Sequence, residues 1–319
     1  MASMLKTVTP AVGIREDLSS LISRVEPEKT PFLSAIGTGT AKDVRKFWQN
    51  EELDAPSLDN KALEGFNADP VAAKPTTKVG SVAQLFHKTG SVSLTLEAAD
   101  HAGVSSEIAR SKINRGIAIK RDIEITYLSN QGSLLETGST PRQTAGVLAW
   151  AKSNVDAGTG AVLDGGYQAS GLVEDHSNVG ALRALDVDQF NNVQQLMFAA
   201  GADTSTAMMG YKLKGKFSNN VAGNFETRGT VNGKDQATIY AGADVFVGEF
   251  GAVTIAPHPY ALEHEVLFFD KNNLSDTVYR PFSTDTLAKT GDNLSYLMVT
   301  ERMLEVKNEK SLGVIRQVQ

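Results

Sequence analysis

Two apolar runs in the last third of the chain constrain its fold more than any other feature. The first covers residues 266–269, and the second covers residues 294–306 between the polar residues 291–293 and 307–309. Short runs that are apolar on both faces and end in polar turns are typical of fully buried strands. We therefore predict two buried strands that close the core, with no catalytic residue among them.

The composition is that of an ordinary globular protein and excludes several kinds of chemistry. Charged residues make up 21% and hydrophobic residues 41% of 319 positions, a length that favours about two domains. The absence of cysteine excludes disulfides, thiolate nucleophiles and cysteine-ligated zinc. The 31 basic and 37 acidic residues give a net charge of −6. Because duplex affinity depends on basic residues that neutralise phosphates, nucleic-acid binding is not expected as the main function.

No stretch of the sequence predicts a membrane contact. No apolar run approaches the roughly 18 residues that a membrane-spanning helix needs. Residues 1–13 lack the apolar segment of a signal peptide. The initiator Met1 also leads us to expect that no N-terminal segment is removed by proteolysis.

Residues 14–25 are predicted to form a short amphipathic helix that ends before Pro27. Its apolar face carries Leu18, Leu21, Ile22 and Val25. A second apolar group follows after Thr30 and Pro31 and consists of Phe32, Leu33 and Ile36. Two interpretations remain open: a surface helix that packs on its own core, or an arm that docks on a neighbouring subunit.

Residues 38–92 are predicted to form a long hairpin with an irregular tip. Residues 44–49 and 78–86 resemble strands, and the section between them is polar and contains Pro56, Pro70 and Pro75. A loop of this length inside a compact domain is uncommon unless it is functional or disordered. Such a hairpin can be ordered when it lies on another molecule.

The remaining segments indicate an α+β fold. The longest helix is predicted at residues 104–129, capped by Ser105 or Ser106, with a basic middle. A second helix, capped by Asp188, ends at Gly201. A buried strand at 207–209, a basic helix or turn at 211–220, and strands at 237–240, 244–247 and 251–256 follow, with a short helix near 144–153 before them. Helices followed by many strands are typical of α+β proteins.

No motif in the sequence predicts a catalytic, cofactor or metal site. Histidines occur at 87, 101, 176, 258 and 264 without a zinc-protease spacing, and His258 and His264 are only a weak candidate metal pair. The glycine pairs at 37–39 and 158–160 do not continue into a nucleotide-binding loop, and no nucleophile elbow is present. We therefore predict no enzyme activity, no cofactor and no metal.

Two segments of the sequence resemble a known family. The order Tyr279-Arg-Pro-Phe282, Leu287 to Asp292, a long strand, Glu305 to Lys310 and Gly313-Val-Ile is similar to the C-terminal part of one group of phage proteins. Glu16-Asp-Leu18 through Pro27 to Thr30-Pro-Phe-Leu-Ser34 resembles the N-terminal arm of the same group. These are the major capsid proteins of tailed phages with the Hong Kong ninety-seven-type fold.

The resemblance implies four structural parts and a function. An N-terminal arm would cover residues 1–37 and an extended loop, the E-loop, residues 38–92. A peripheral domain with a long spine helix would cover 93–185 and 293–319, and an axial domain 186–292. The chain would assemble with copies of itself into pentamers and hexamers of an icosahedral head that encloses double-stranded DNA. The residues expected to contact neighbouring subunits are Leu18, Leu21, Ile22, Phe32, Leu33, Phe47, Trp48 and Phe66.

The same resemblance implies scaffold, portal and decoration proteins as further partners, DNA bound inside without sequence specificity, and assembly in the host bacterial cytoplasm into a virion. Some capsids of this fold crosslink a loop lysine to a neighbour; Lys61, Lys74 and Lys78 are candidates by position only and are not assigned that role. Three alternatives remain open: an encapsulin-like compartment shell, an α+β hydrolase without a recognisable motif, and a phage tail or adhesin component.

Overall fold

The computed structural model describes residues 29–67, 72–99, 105–177, 180–220 and 245–319, without the side chains of 218–220. The predicted helix at 14–25 and the predicted strand at 237–240 lie outside these ranges. The helices are α1 (Pro31–Ala35), α2 (Leu94–Ala98), α3 (Glu107–Tyr127), α4 (Val147–Trp150), α5 (Val187–Ala199) and α6 (Tyr211–Asn220).

The strands are β1 (Gly37–Thr40), β2 (Arg45–Asn50), β3 (Thr77–Val82), β4 (Gln84–Ser93), β5 (Val155–Asp156), β6 (Gly166–Tyr167), β7 (Val173–Glu174), β8 (Thr206–Gly210), β9 (Val245–Gly248), β10 (Gly251–His258), β11 (Val266–Phe269), β12 (Leu274–Thr286), β13 (Asn293–Val306) and β14 (Leu312–Ile315). Two short 3-10 turns, Lys271–Asn273 and Glu309–Ser311, precede β12 and β14.

A four-stranded sheet with the order β1-β12-β13-β4 supports the long helix α3. The strand β1 runs parallel to β12, and the other pairs are antiparallel. Tyr296 of β13 lies opposite Gly90 of β4, and a Cβ atom at position 90 would collide with the tyrosine ring. The Tyr296 hydroxyl is 2.6 Å from the Ser111 hydroxyl of α3, so this pair joins the helix to the sheet.

A second, six-stranded sheet has the order β5-β14-β11-β8-β10-β9 and packs against α5 and α6. All residues of β8, β11 and β14 are buried, as expected for central strands with helices on the sheet. Phe190 of α5 contacts Phe217, Phe246 and Phe268 with ring centroids 5.0 to 5.3 Å apart. This cluster fills the space between helix and sheet.

Most of the predicted elements are present within the described residues. The two apolar runs form β11 and β13, and the long helix begins after Ser106, whose hydroxyl accepts from the Ala109 amide at 3.2 Å. The predicted cap of the second helix was wrong by two residues. Asp186 is the cap, because its carboxylate and Gln189 form a reciprocal capping box, and Asp188 lies in the first turn.

The two sheets do not divide the chain at the boundaries that the resemblance implied. The strand β12 lies in the predicted axial segment but pairs with β13 in the sheet under α3. The strand β14 lies in the predicted peripheral segment but pairs with β11 in the six-stranded sheet. The chain therefore crosses between the sheets more often than a single inserted segment requires. The division into named domains stays a prediction.

Among the described helices, none combines the length and apolar character needed to cross a bilayer.

Candidate assembly surfaces

The long loop, residues 51–76, is carried on a hairpin with a firm base. The strands β2 and β3 pair in antiparallel register from Arg45 opposite Val82 to Asn50 opposite Thr77, which confirms the predicted hairpin. Trp48 of β2 stacks on Trp150 at 6.1 Å, and Trp150 stacks on Tyr167 at 5.8 Å. These rings anchor the hairpin to the body of the subunit.

Hydrogen bonds add to the aromatic contacts at this base. The Trp48 indole N–H donates to the Lys307 carbonyl at 3.2 Å, and the Tyr167 hydroxyl donates to the Lys78 carbonyl at 2.9 Å. Lys46 pairs with the carboxylate of Glu305 at 2.7 Å. Since these contacts join β2 to β13 and its continuation and join β3 to β6, the hairpin leaves the body in a defined direction.

The long loop itself exposes apolar side chains. Every described residue of the loop, 51–67 and 72–76, is exposed. Leu53, Leu58, Leu63 and Phe66 are 89%, 99%, 86% and 62% exposed. Soluble monomers rarely expose so many large apolar side chains on one segment, and such surfaces mark contacts with other molecules.

A buried acid, Glu124 of α3, fixes the point where the N-terminal segment enters the body. Its two carboxylate oxygens accept the backbone N–H groups of Phe32 and Leu33, each at 2.7 Å. The Nε2 atom of His258 lies 3.1 Å from the same carboxylate, and both side chains are fully buried. A buried carboxylate is tolerated where several donors satisfy it, as they do here.

The hydrogen bonds of His258 also define its tautomer. Its Nδ1 atom accepts the backbone N–H of Ala261 at 2.9 Å and that of Tyr260 at 3.3 Å. The ring proton therefore lies on Nε2 and is donated to Glu124. The Tyr260 hydroxyl donates to the Lys29 carbonyl at 3.2 Å, and burial together with the Glu124 charge raises the pKa of Tyr260 to about 12.

The buried carboxylates of Asp276 and Glu301 also form hydrogen bonds or ion pairs within the subunit. Asp276 accepts from the Tyr127 hydroxyl at 2.7 Å and pairs with Arg302, and burial with this nearby carboxylate raises the pKa of Tyr127 well above its usual value. Glu301 pairs with Arg142. Within the described ranges, no group of three or more histidine, aspartate or glutamate side chains is arranged to hold a metal ion.

The predicted contact residues fall into three groups. Leu18, Leu21 and Ile22 lie outside the described residues. Phe32 is fully buried in the subunit's own core, where its ring meets Phe269 at 5.4 Å, so its side chain is unavailable to a neighbour. The more accessible positions are Phe47 (39% exposed), Phe66 (62% exposed) and the half-buried Leu33 and Trp48.

Sequence reasoning missed other exposed apolar positions and the role of Glu124. Leu53, Leu58 and Leu63 stand out only because they interrupt a polar stretch, which was the available signal. Glu124 is one charge among several on α3, and no signal in the sequence sets it apart. The weak metal hypothesis for His258 and His264 gains no support, because His258 pairs with Glu124 and His264 Nδ1 contacts the Val318 carbonyl at 3.0 Å.

Solved capsid structures share this fold over almost the whole chain. The cyanophage A-1(L) capsid subunit is 11% identical with a TM-score of 0.69, covering 98% of this chain and 99% of that one. The capsid subunit of a native GTA particle is 14% identical with a TM-score of 0.61, covering 99% and 100%. A chain of Mycobacterium phage Adephagia is 15% identical with a TM-score of 0.58, covering 99% and 98%. The fold is thus the α+β fold of phage capsid proteins, as the Hong Kong ninety-seven-type resemblance predicted.

The sequence defines the family more narrowly. The chain belongs to the SU10 major capsid protein family, whose profile matches residues 4–319. The major capsid protein of Escherichia phage Phieco32 is 30% identical over 119 residues, which are 37% of this chain. The match spans about a third of that curated relative, 34% of its length. Membership of a capsid-protein family implies a structural, non-enzymatic role.

Proposed function

We propose that this chain is the major capsid subunit of a tailed phage, and that copies of it assemble into the pentamers and hexamers of an icosahedral head. The family membership and the fold support this function. The single observation that carries it is the long loop, which exposes four large apolar side chains on a hairpin with a rigid base. Burial of such a side chain is favourable, and at this exposed position burial requires contact with another molecule.

The loop can supply most of the attraction between two subunits. Burying one leucine or phenylalanine side chain contributes about 1.5–3 kcal/mol, so four of them give about 6–12 kcal/mol before the costs of association. Each subunit of a closed shell both gives and receives such a loop. Many contacts of this moderate strength add up to a stable particle, because loss of one subunit breaks several contacts at once.

The N-terminal segment is the second proposed contact. The helix predicted at residues 14–25 has an apolar face with Leu18, Leu21 and Ile22, which we assign to a contact with a neighbouring subunit. The carboxylate of Glu124 holds the backbone at Phe32 and Leu33, and this anchor supports an arm that starts from a constant position. The arm comprises residues 1–37 in this assignment, and the extended loop comprises 38–92.

The two sheets suggest how the subunit is divided between the periphery and the axis of a capsomer. We assign the four-stranded sheet with α3 to the peripheral domain and the six-stranded sheet with α5 and α6 to the axial domain. This places β12 in the peripheral domain and β14 in the axial domain, in line with their pairing.

The further partners follow from this function. The shell would enclose double-stranded DNA without sequence specificity and would meet scaffold, portal and decoration proteins during assembly. Assembly would take place in the cytoplasm of the bacterial host, and the finished protein would be part of the virion.

Negative-stain electron microscopy of the purified chain, with size-exclusion chromatography beside it, tests the proposal. Hollow polyhedra or rings of five and six subunits are the expected result. A protein that stays monomeric at high concentration, both alone and when co-expressed with the other head genes of its phage, would refute the proposed function.

A further inference from the structure

Residues 63–66 of the long loop form a tight turn. The Phe66 amide donates to the Leu63 carbonyl at 3.1 Å, and Gly65 has a φ of 79°, which favours glycine. The turn places Glu64 between two exposed apolar side chains. Within the described residues, the Glu64 carboxylate makes no ion pair. Residues 63–66, called the loop tip below, therefore present one free negative charge flanked by apolar surface.

An open cleft of about 330 Å³ lies where α2 and the first turns of α3 meet the end of β4. Val92 and the half-exposed Leu96 provide its apolar wall, and Arg110 and Arg115 provide positive charge. Arg110 pairs with Glu107 at 2.7 Å, whereas no ion pair of Arg115 is found in the described part of the chain. This basic cleft therefore complements the loop tip, because its apolar wall can cover apolar side chains and Arg115 can pair with a negative charge.

The basic cleft is preformed. The carboxylate of Glu97, in α2, accepts the Ser106 hydroxyl at 2.6 Å and the Ile108 amide at 3.0 Å, which joins α2 to the start of α3. The hydroxyls of Ser111 and Tyr296 join the same part of α3 to β13. A rigid cleft loses little conformational freedom on binding, and this favours its use as a docking site.

The base of the hairpin and the basic cleft lie toward opposite ends of β13. The hairpin leaves the body beside the end of β13, since Lys46 contacts Glu305 and Trp48 contacts Lys307. The cleft lies beside the start of β13, where Asn293 pairs with the end of β4. The 14 residues of β13 span about 45 Å at ~3.3 Å per residue. A second copy is therefore the natural occupant of the cleft, in a head-to-tail contact that can close a ring.

The charges of the two surfaces are complementary. The described part of the long loop carries five acidic side chains against two lysines: Glu51, Glu52, Asp54, Asp59 and Glu64 against Lys61 and Lys74. The first half of α3 carries Arg110, Lys112 and Arg115 against Glu107, and both arginines are exposed. Opposite charges of this kind favour encounter and fix the register of an interface.

Two further cavities suit the loop tip less well. One, near Tyr211, is lined by Glu263, whose negative charge would repel Glu64 although it pairs with Lys212. The other is lined by Lys29 and Lys120, at the place where the N-terminal segment joins the body. Neither combines an exposed leucine with a free arginine.

We propose that the loop tip of one subunit docks in the basic cleft of the next, with Leu63 and Phe66 against Val92 and Leu96 and with Glu64 beside Arg115. This assignment rests on the proposed function, because it names the surface that receives the loop in a shell. It also explains why the loop is acidic where α3 is basic.

Crosslinking between two different single-cysteine variants tests the proposal directly, since the natural chain has no cysteine. Glu64→Cys and Arg115→Cys subunits are mixed, assembled and treated with a short bis-maleimide reagent. A covalent dimer on a denaturing gel is expected for this mixture. A Glu64→Cys and Lys120→Cys mixture serves as the matched control, because Lys120 lies on the same helix outside the cleft, and it should give little dimer.

A charge exchange provides the second test. Glu64→Arg and Arg115→Glu should each lower the yield of particles, and the double variant should restore it. Particles that form normally but give no dimer in the first experiment, or equal dimer with the control, would overturn the cleft assignment and leave the proposed function intact. A natural chain that forms no particles under any condition would instead overturn the proposed function.

Discussion

Replacing the four exposed apolar side chains of the long loop by serine should abolish assembly without unfolding the subunit. Leu53, Leu58, Leu63 and Phe66 are 89%, 99%, 86% and 62% exposed, so little buried area is lost within the subunit. Its free energy of unfolding should change by less than about 0.5 kcal/mol per position. On a neighbouring subunit the same side chains contribute about 6–12 kcal/mol before the costs of association. Even a quarter of this, about 1.5–3 kcal/mol, raises the concentration needed for assembly roughly 12- to 140-fold.

The assay is a concentration series followed by size-exclusion chromatography with light scattering, and circular dichroism during heating reports on the fold. The matched control replaces the three leucines by methionine and Phe66 by leucine, which keeps the apolar area at each position. This control should assemble at nearly the same concentration as the natural chain. The serine variant should remain a folded subunit throughout the series.

Two outcomes would refute this reasoning. Normal assembly of the serine variant would mean that the loop contributes little to contacts between subunits. An unfolded serine variant would mean that the loop packs on its own subunit, against the observed exposure of its side chains.

Three further predictions concern the interior of the subunit. Glu124→Gln should lower the free energy of unfolding by about 1–3 kcal/mol, because the two backbone donors bind different carboxylate oxygens and the NH2 group that replaces one of them cannot accept. Glu107→Gln should change it little, and urea unfolding measures both. Trp48→Ala should loosen the base of the hairpin and raise its rate of proteolysis, and Trp48→Phe should largely preserve the stacking. Burial, reinforced by the nearby Arg316 charge, lowers the pKa of His176 to about 4, so stability should fall as pH falls from about 6.5 toward 4, by up to about 3 kcal/mol. His176→Asn should flatten this dependence in urea unfolding at several pH values.

Each of these three predictions would be contradicted by a specific result. Equal destabilisation by the two glutamine substitutions would mean that the carboxylate does not hold the N-terminal segment. If the alanine variant were cleaved at the same rate as the natural chain, the stacked rings would not be what anchors the hairpin. The sign of the histidine effect follows from its lowered pKa, since the unfolded chain then binds more protons at pH 5 than the folded one. A stability that rises on acidification would contradict it.

The sequence was sufficient to predict the elements whose residues carry a local signal. The run Val266–Phe269 is apolar on both faces, and it forms a strand that is buried on both faces. Ser106 and the alternation of apolar and charged residues after it define α3. The polar, proline-containing section between β2 and β3 indicated a long loop, which is present and exposed in its described part.

Features that depend on pairing between distant segments were beyond the sequence. The parallel pairing of β1 with β12 joins residues far apart in the chain, and no local pattern indicates it. The same is true of the bonds from Glu124 to Phe32 and Leu33, which turn an ordinary helix charge into a buried anchor. Phe32 was predicted to contact a neighbour because it belongs to the apolar group of the N-terminal arm that the resemblance implies. Only the tertiary structure shows that it fills the core.

Cryo-electron microscopy of assembled particles, at a resolution that shows side chains, tests the central claim most directly. The account predicts a closed shell in which residues 51–76 of each subunit lie across an adjacent copy, with Leu53, Leu58, Leu63 and Phe66 buried there. A shell in which these residues fold back on their own subunit, or face solvent in every copy, would contradict it.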